Sequence, residues 1–177
     1  IRSVWYMSKL KSINIVSEDI KKAKQLSSEM GTLKNSITKG QGNVHGFLGE
    51  IITSKFLSSS LDNTYNYDIV HNSLKIDVKT KRVTTPPKEH YECSVAALNT
   101  KQACDIYVFT RVLKDMTKGW ILGWLNKEDY FNSALFLKKG QVDPSNNWKV
   151  LTDCYNLPIH KLNNIEDLLD KRKLECN

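Results

Sequence analysis

The chain predicts an α/β fold, a mixed central β-sheet flanked by helices, and three features of the sequence predict it. Leu74-Lys75-Ile76-Asp77-Val78-Lys79-Thr80-Lys81 alternates strictly between apolar or β-branched and charged residues, the two-residue period of a half-buried strand. Val44, Phe47, Leu48, Ile51, Ile52 and Phe56 repeat at helical spacing just before it. Residues 105–113 and 120–125 are apolar runs rich in β-branched and aromatic residues, hence further strands. At 177 residues the chain fits one domain, 1–177, with a substantial core and no need of disulfides. Its centre lies at about 43–125, with an N-terminal helix and a C-terminal strand and helix added.

Taken in order, residues 1–6 read as upstream or expression-derived sequence, with Met7 as a natural start. Ser17–Met30 is expected to be a helix, with Ser17 as N-cap, Glu18 and Asp19 in the first turn, and Ile20, Ala23, Leu26 and Met30 as a modest apolar stripe. It packs beside the core or forms an arm facing a ligand. A Gly-rich connection, Lys39-Gly40-Gln41-Gly42, leads into the helix Asn43–Leu57. No Walker pattern follows it, so nucleotide binding is not expected. At 100° per residue Glu50 falls about 60° from Phe47, on the flank of the apolar stripe. Gly46 and Gly49 each cost about 0.5–1 kcal/mol relative to alanine inside a helix, and their missing side chains would admit a strand or a phosphate backbone.

Tyr67-Asp68-Ile69-Val70-His71 is strand-like, and Asn72-Ser73 has turn chemistry. A tight hairpin would pair His71 with Leu74, Val70 with Lys75, Ile69 with Ile76, and Asp68 with Asp77. After the Pro86-Pro87 break, residues 91–97 read as the next strand and 99–103 as a short helix. The strands 105–113 and 120–125 should be antiparallel across 114–119. Residues 126–137 read as a helix with Asn126 at the N-cap, Glu128 and Asp129 in its first turn, and Gly140 beyond its end. A polar loop at 143–147, an edge strand within 150–159 and an amphipathic helix over 165–173 complete the chain.

The hairpin register concentrates charge. Directly opposed residues have Cβ atoms about 4.5–5.5 Å apart, and like charges there are destabilising. Lys79 shares the face of Asp77 about 6.6 Å along the strand. A divalent metal is the natural occupant of such a volume, because hard cations such as Mg²⁺ take carboxylate oxygens together with waters and phosphate oxygens.

The order Gly49-Glu50, then Asp68, then Asp77-Val78-Lys79 resembles the PD-(D/E)XK nucleases, the restriction-endonuclease-like superfamily that also holds junction resolvases and phage recombination or repair nucleases. The resemblance covers about residues 43–124, as a helix, a β-meander, a helical connection and a further strand. Tyr67 stands where many members have proline. The resemblance implies hydrolysis of DNA phosphodiesters with Mg²⁺, for which Mn²⁺ can substitute. Asp68 and Asp77 would bind the metal with the Val78 carbonyl, Glu50 would bind it directly or through water, and Lys79 would orient and help deprotonate the attacking water. The cell compartment implied is the cytoplasm of a bacterial or phage-infected cell.

Composition agrees with a polyanionic partner. Lys plus Arg number 26 against 19 Asp plus Glu, a formal net charge of +7, which attracts DNA in a salt-dependent way. Lys81 and Arg82 place positive charge beside the site, and Lys39 and Gln41 could lie along a DNA backbone. His45 is about 140° around the helix from Glu50 and reads as structural; His71, His90 and His160 form no metal-spaced cluster. Cys93, Cys104, Cys154 and Cys176 make no CxxC pair, which argues against a zinc ribbon and fits reduced thiols in an intracellular protein. No apolar run is long enough to span a bilayer, so no membrane partner is expected. Trp120, Trp124 and Trp148 read as core or loop anchors, with Trp148 the better candidate for base stacking. Concerted double-strand cuts would require a homodimer. Two other readings compete: a catalytically silent DNA-binding or assembly subunit on the same fold, and a basic structural protein whose acidic face is incidental.

Overall fold

The structure, a computed structural model, describes residues 10–30, 43–62, 64 and 66–169. In chain order they form β1 (Lys11–Asn14), α1 (Ser17–Met30), α2 (Asn43–Leu57), β2 (Ile69–His71), β3 (Leu74–Val83), β4 (Glu92–Ala96), β5 (Ile106–Leu113), β6 (Lys118–Asn126), α3 (Lys127–Ser133), β7 (Leu135–Leu137) and β8 (Cys154–Pro158). Short 3-10 turns lie at Ala97–Asn99, Ile159–Lys161 and Ile165–Leu168. The class is mixed α/β, as predicted.

Asn72 and Ser73 both have positive φ, 48° and 66°, the combination that matches hairpin twist. The turn therefore pairs His71 with Leu74, Val70 with Lys75 and Ile69 with Ile76, the predicted register. On its other edge β3 pairs in parallel with β5, and β6 returns antiparallel to β5. The five-stranded order is β1-β6-β5-β3-β2. β1 has no counterpart in the sequence reading, because four residues carry too little alternation to declare a strand.

One face of this sheet is covered by helices. Ile52, Leu57, Ile69, Ile76, Val78, Ile106, Val108 and Ile121 form one cluster there, and Ala23 of α1 joins Phe47, Leu48 and Ile51 of α2 in another. α1 packs beside the core, as one of its two expected placements. Its start departs from the expected serine cap: Asp19 reaches back to accept the Val16 N–H at 3.3 Å, while its own N–H donates to the Val16 carbonyl at 3.0 Å. Asp19 also holds Lys55 of α2 at 3.0 Å.

The other face carries a second sheet, order β4-β8-β7, where a single central sheet was expected. Val95, Tyr107, Phe109, Leu122, Tyr130 and Leu157 fill the space between the sheets, and Tyr130 stacks on Phe109 at 5.2 Å. β8 is the middle strand of that sheet and not an edge. α3 keeps Asn126 as its cap, accepting the Glu128 N–H at 2.9 Å, but stops at Ser133 and not at 137. Residues 135–137 are instead drawn into pairing with β8, where Leu137 is buried and Phe136 lies 5.0 Å from the Tyr155 ring. The expected 99–103 helix is a 3-10 turn at Ala97–Asn99, and only Ile165–Leu168 of the expected closing helix is helical, as a 3-10 turn. Residues 170–173 of that expectation lie outside the described residues.

Gly123 sits at the irregularity where the β5–β6 register shifts, with φ +144°. A Cβ there would lie 2.4 Å from the Asn163 carbonyl oxygen, the segment that pairs with Trp124. Gly123→Ala should therefore cost at least about 1–3 kcal/mol of backbone strain. Thermal unfolding should show a fall of about 2–4 °C for each kcal/mol, and an unchanged midpoint would show that this contact does not constrain the fold.

Candidate active site

The helix α2 reaches the sheet through Gly49. A Cβ at this position would lie 1.9 Å from Thr80 Oγ1, 2.5 Å from Thr110 Oγ1 and 3.0 Å from Thr80 Cβ. Turning the hydroxyl would not remove the clash with Thr80 Cβ. The two threonines face each other across β3 and β5, their hydroxyls 2.7 Å apart. Gly49 thus admits the strand side chains, one of the two expected uses of the glycines. Gly46 does not share that role, since a Cβ there would meet nothing within 4 Å. The residue after Gly49 is Glu50, which this contact carries to the sheet.

Glu50, Asp68, Asp77 and Lys79 come together as the sequence predicts, with one difference in geometry. The ladder between β2 and β3 ends at Ile69 and Ile76. Asp68 lies just beyond it, donating its N–H to the Ile76 carbonyl at 2.8 Å. Its carboxylate does not stand upright opposite Asp77 but accepts the Val78 N–H at 2.8 Å. Val78 therefore meets the site through its N–H, while its side chain is in the core. Asp77 is 4% exposed, so the middle of β3 is buried on both faces. The alternation suggested a half-buried strand because the groups around Asp77, among them Glu50, Asp68 and Cys104, come from other parts of the chain.

Burial is also the main reason the carboxyls titrate abnormally. Glu50 is raised far above the ordinary carboxyl range by burial, then by the charge of Asp68, a hydrogen bond with Asp68 and the charge of Asp77, against a lowering by Lys79. Asp68 is raised less, by burial and Asp77, because its bonds with Glu50 and the Val78 N–H and the charge of Lys79 favour its ionised form. The pair thus holds a proton on the Glu50 side, shared toward Asp68. Lys79 Nζ lies 2.6 Å from Asp77 Oδ2, donates to Gln102 Oε1 at 2.8 Å and sits 5.7 Å from the centre of the Tyr107 ring.

Among the carboxyl oxygens of the site, Glu50 Oε2 and Asp77 Oδ2 are buried without a hydrogen-bond donor; the latter makes an ion pair with Lys79. A buried carboxyl oxygen without a hydrogen-bond donor is costly, whether its group is protonated or ion-paired. Both are hard donors of the kind that Mg²⁺ and Mn²⁺ take, so the residues present fit such a cation. The ligands are not drawn into a closed cage: among the described residues no three of His, Cys, Asp and Glu are grouped for coordination.

The flanking predictions divide. Lys81 is on the charged face of β3 and pairs with Glu92 at 3.3 Å, whereas Arg82 is exposed and projects from the opposite face. Lys39 and Gln41 lie outside the described residues. His45 is buried with Nε2 3.1 Å from the Lys114 carbonyl, the structural role expected. Asp105 accepts the Lys75 N–H at 2.8 Å and ties β5 to the start of β3. Cys93, Cys104 and Cys154 are unpaired and buried; Cys176 lies outside the described residues. Gln102 was not foreseen. Its bond with Lys79 spans 23 residues and arises only because the chain returns to run parallel to β3, so no local spacing could reveal it.

Compared with known proteins, the chain matches no family model and no curated relative. Among the described residues no helix is long and apolar enough to cross a membrane.

Raised carboxyl pKa values make the metal-free fold pH-sensitive. Below about pH 4 both folded and unfolded chains hold these protons, so the contribution is fully present; it is lost as pH rises through the raised folded values. In EDTA the unfolding midpoint should fall between about pH 5 and pH 8, and Glu50→Gln should flatten that slope. A slope identical in wild type and Glu50→Gln would remove Glu50 from the shared-proton cluster.

Proposed function

We propose that this chain is a metal-dependent deoxyribonuclease, with a restriction-endonuclease-like core of the PD-(D/E)XK type, that hydrolyses DNA phosphodiester bonds. The observation that carries the reading is the convergence of Glu50 from α2, Asp68 from the approach to β2, and Asp77 and Lys79 from β3, with buried Glu50 and Asp77 oxygens left without donors.

Asp68, Asp77 and Glu50 would hold Mg²⁺ or Mn²⁺, with the Val78 N–H fixing the Asp68 carboxylate beside them. When bound, the cation lowers the pKa of a coordinated water and offsets charge on the scissile phosphate. Lys79, in contact with Asp77 and Gln102, would orient the attacking water and steady a phosphate oxygen. The water oxygen forms the new bond to phosphorus as the ester P–O bond breaks. The proton held between Glu50 and Asp68 must leave when the cation enters, so affinity for metal should rise with pH. The +7 net charge supports a polyanionic substrate. A homodimer is the assembly that concerted double-strand cleavage would need.

A silent DNA-binding subunit is the second reading, favoured by one observation: among the described residues the carboxylates are not grouped for coordination.

Circular and linear, single- and double-stranded DNA should separate these readings, assayed with Mg²⁺, Mn²⁺ or EDTA. Wild type should cut only with metal, Lys79→Ala should lose about 10²-fold or more, and Asp77→Asn should lose cleavage with its metal. DNA binding by folded protein with no cleavage under any of these conditions would transfer the assignment to the silent subunit.

A further inference from the structure

The charged face of β3 continues past Lys79 into a second feature. Lys79 stands opposite Phe109 and Lys81 opposite Arg111 in the parallel pairing with β5. Between these strands and β4 of the second sheet is a cavity of about 140 Å³. Lys79, Lys81 and Arg111 line it, and Glu92 supplies the one carboxylate in its wall.

Arg111 is the unusual group. It is 6% exposed, and a guanidinium does not give up its charge in a protein. Its Nη2 donates to the Glu92 carbonyl oxygen at 2.7 Å, the guanidinium carbon lies 5.2 Å from the centre of the Tyr91 ring, and Nε has no acceptor. The Glu92 carboxylate is engaged elsewhere, one oxygen by Lys81 at 3.3 Å and the other by the Asn146 amide. No carboxylate is ion-paired with Arg111 among the described residues. A permanently charged group with a free buried donor, lining a cavity, calls for an anionic acceptor.

We propose that this cavity is a phosphate subsite, in which Arg111 and Lys81 hold a phosphate group of the nucleic-acid strand next to the one cut at Lys79. Guanidinium geometry suits oxyanions, and enclosure between two sheets strengthens the attraction relative to water. Lys81 follows Lys79 by about 6.6 Å along the strand, a separation on the scale of one nucleotide step. The ligand's identity as nucleic-acid phosphate rests on the nuclease reading. The phosphate is either a terminal monoester or an internal diester, and the two sources predict different substrate effects.

Inorganic phosphate titrated into the metal-free full chain in EDTA, read by thermal unfolding and by phosphorus NMR line width, tests the pocket without cleavage. Wild type and the control Lys21→Ala, on the opposite side of the sheet, should be stabilised saturably. Lys81→Ala should bind about tenfold more weakly, the factor of one charge-assisted hydrogen bond, and Arg111→Gln should lose the effect. If Arg111→Gln does not fold, Lys81→Ala and Arg111→Lys decide, and both should weaken binding. Absence of stabilisation in folded wild type, or equal affinity in Lys81→Ala, would overturn the subsite even where the protein cuts DNA. Phosphate binding that is lost in the variants, in a protein that never cuts, would sustain the subsite and refute the nuclease reading alone. Where cleavage is present, a terminal monoester predicts a preference for phosphorylated 5′ or 3′ ends that disappears in Lys81→Ala. An internal diester predicts an equal loss on circular and linear DNA.

Discussion

Helix α2 lies against β3 and β5 only because residue 49 has no side chain. Thr80 and Thr110 occupy the space that a Cβ would need, and their paired hydroxyls give the helix a surface to rest on. The apolar stripe of α2 supplies the burial energy, through Phe47, Leu48, Ile51 and Ile52, but the glycine decides how deep the helix sits. Glu50 follows directly from it. A helix held farther out would withdraw Glu50, and the site would keep only Asp68, Asp77 and Lys79.

The cost of this arrangement is electrostatic. Three carboxyls meet where water is scarce, and Lys79 offsets only part of their charge. The chain answers with a shared proton on Glu50 and Asp68, a backbone N–H from Val78 and an ion pair on Asp77. Glu50 Oε2 and Asp77 Oδ2 still lack donors. Such unresolved polarity in an otherwise well-packed core is expected where stability has been given up for binding. The same face carries a second imbalance of opposite sign at Arg111, so anion-seeking and cation-seeking groups lie side by side along β3 and β5. That polarity is why the proposed ligands are a phosphate and a divalent cation.

Much of this was legible where the signal is local. Asn72-Ser73 sets its own turn, and the turn sets the register that brings Asp68 near Asp77. α2 is legible because its apolar period survives over four turns. The second sheet was not, because β4 and β8 are distant in sequence, with Ser94 and Asn156 bonded across 62 residues, and each strand is short. Nor does local alternation show that Glu50, Asp68 and Cys104 gather around Asp77, which is buried and not half-exposed. Leu135-Phe136-Leu137 extends a helical pattern on paper, yet its strand pairing with β8 and the contact with Tyr155 prevail. Gln102 and Arg111 depend on parallel pairing, which no neighbouring residue announces.

On the proposed function, the carboxyl cluster exchanges its shared proton for a hard divalent cation. Titration calorimetry of Mn²⁺ into the DNA-free protein at neutral pH, repeated in two buffers of different ionisation enthalpy, measures binding and proton release together. The account predicts saturable binding whose apparent enthalpy shifts with the buffer because protons are released, and neither signal in Asp77→Asn. Mn²⁺ binding that is absent in the folded wild type, or that proceeds with no proton release, would contradict it.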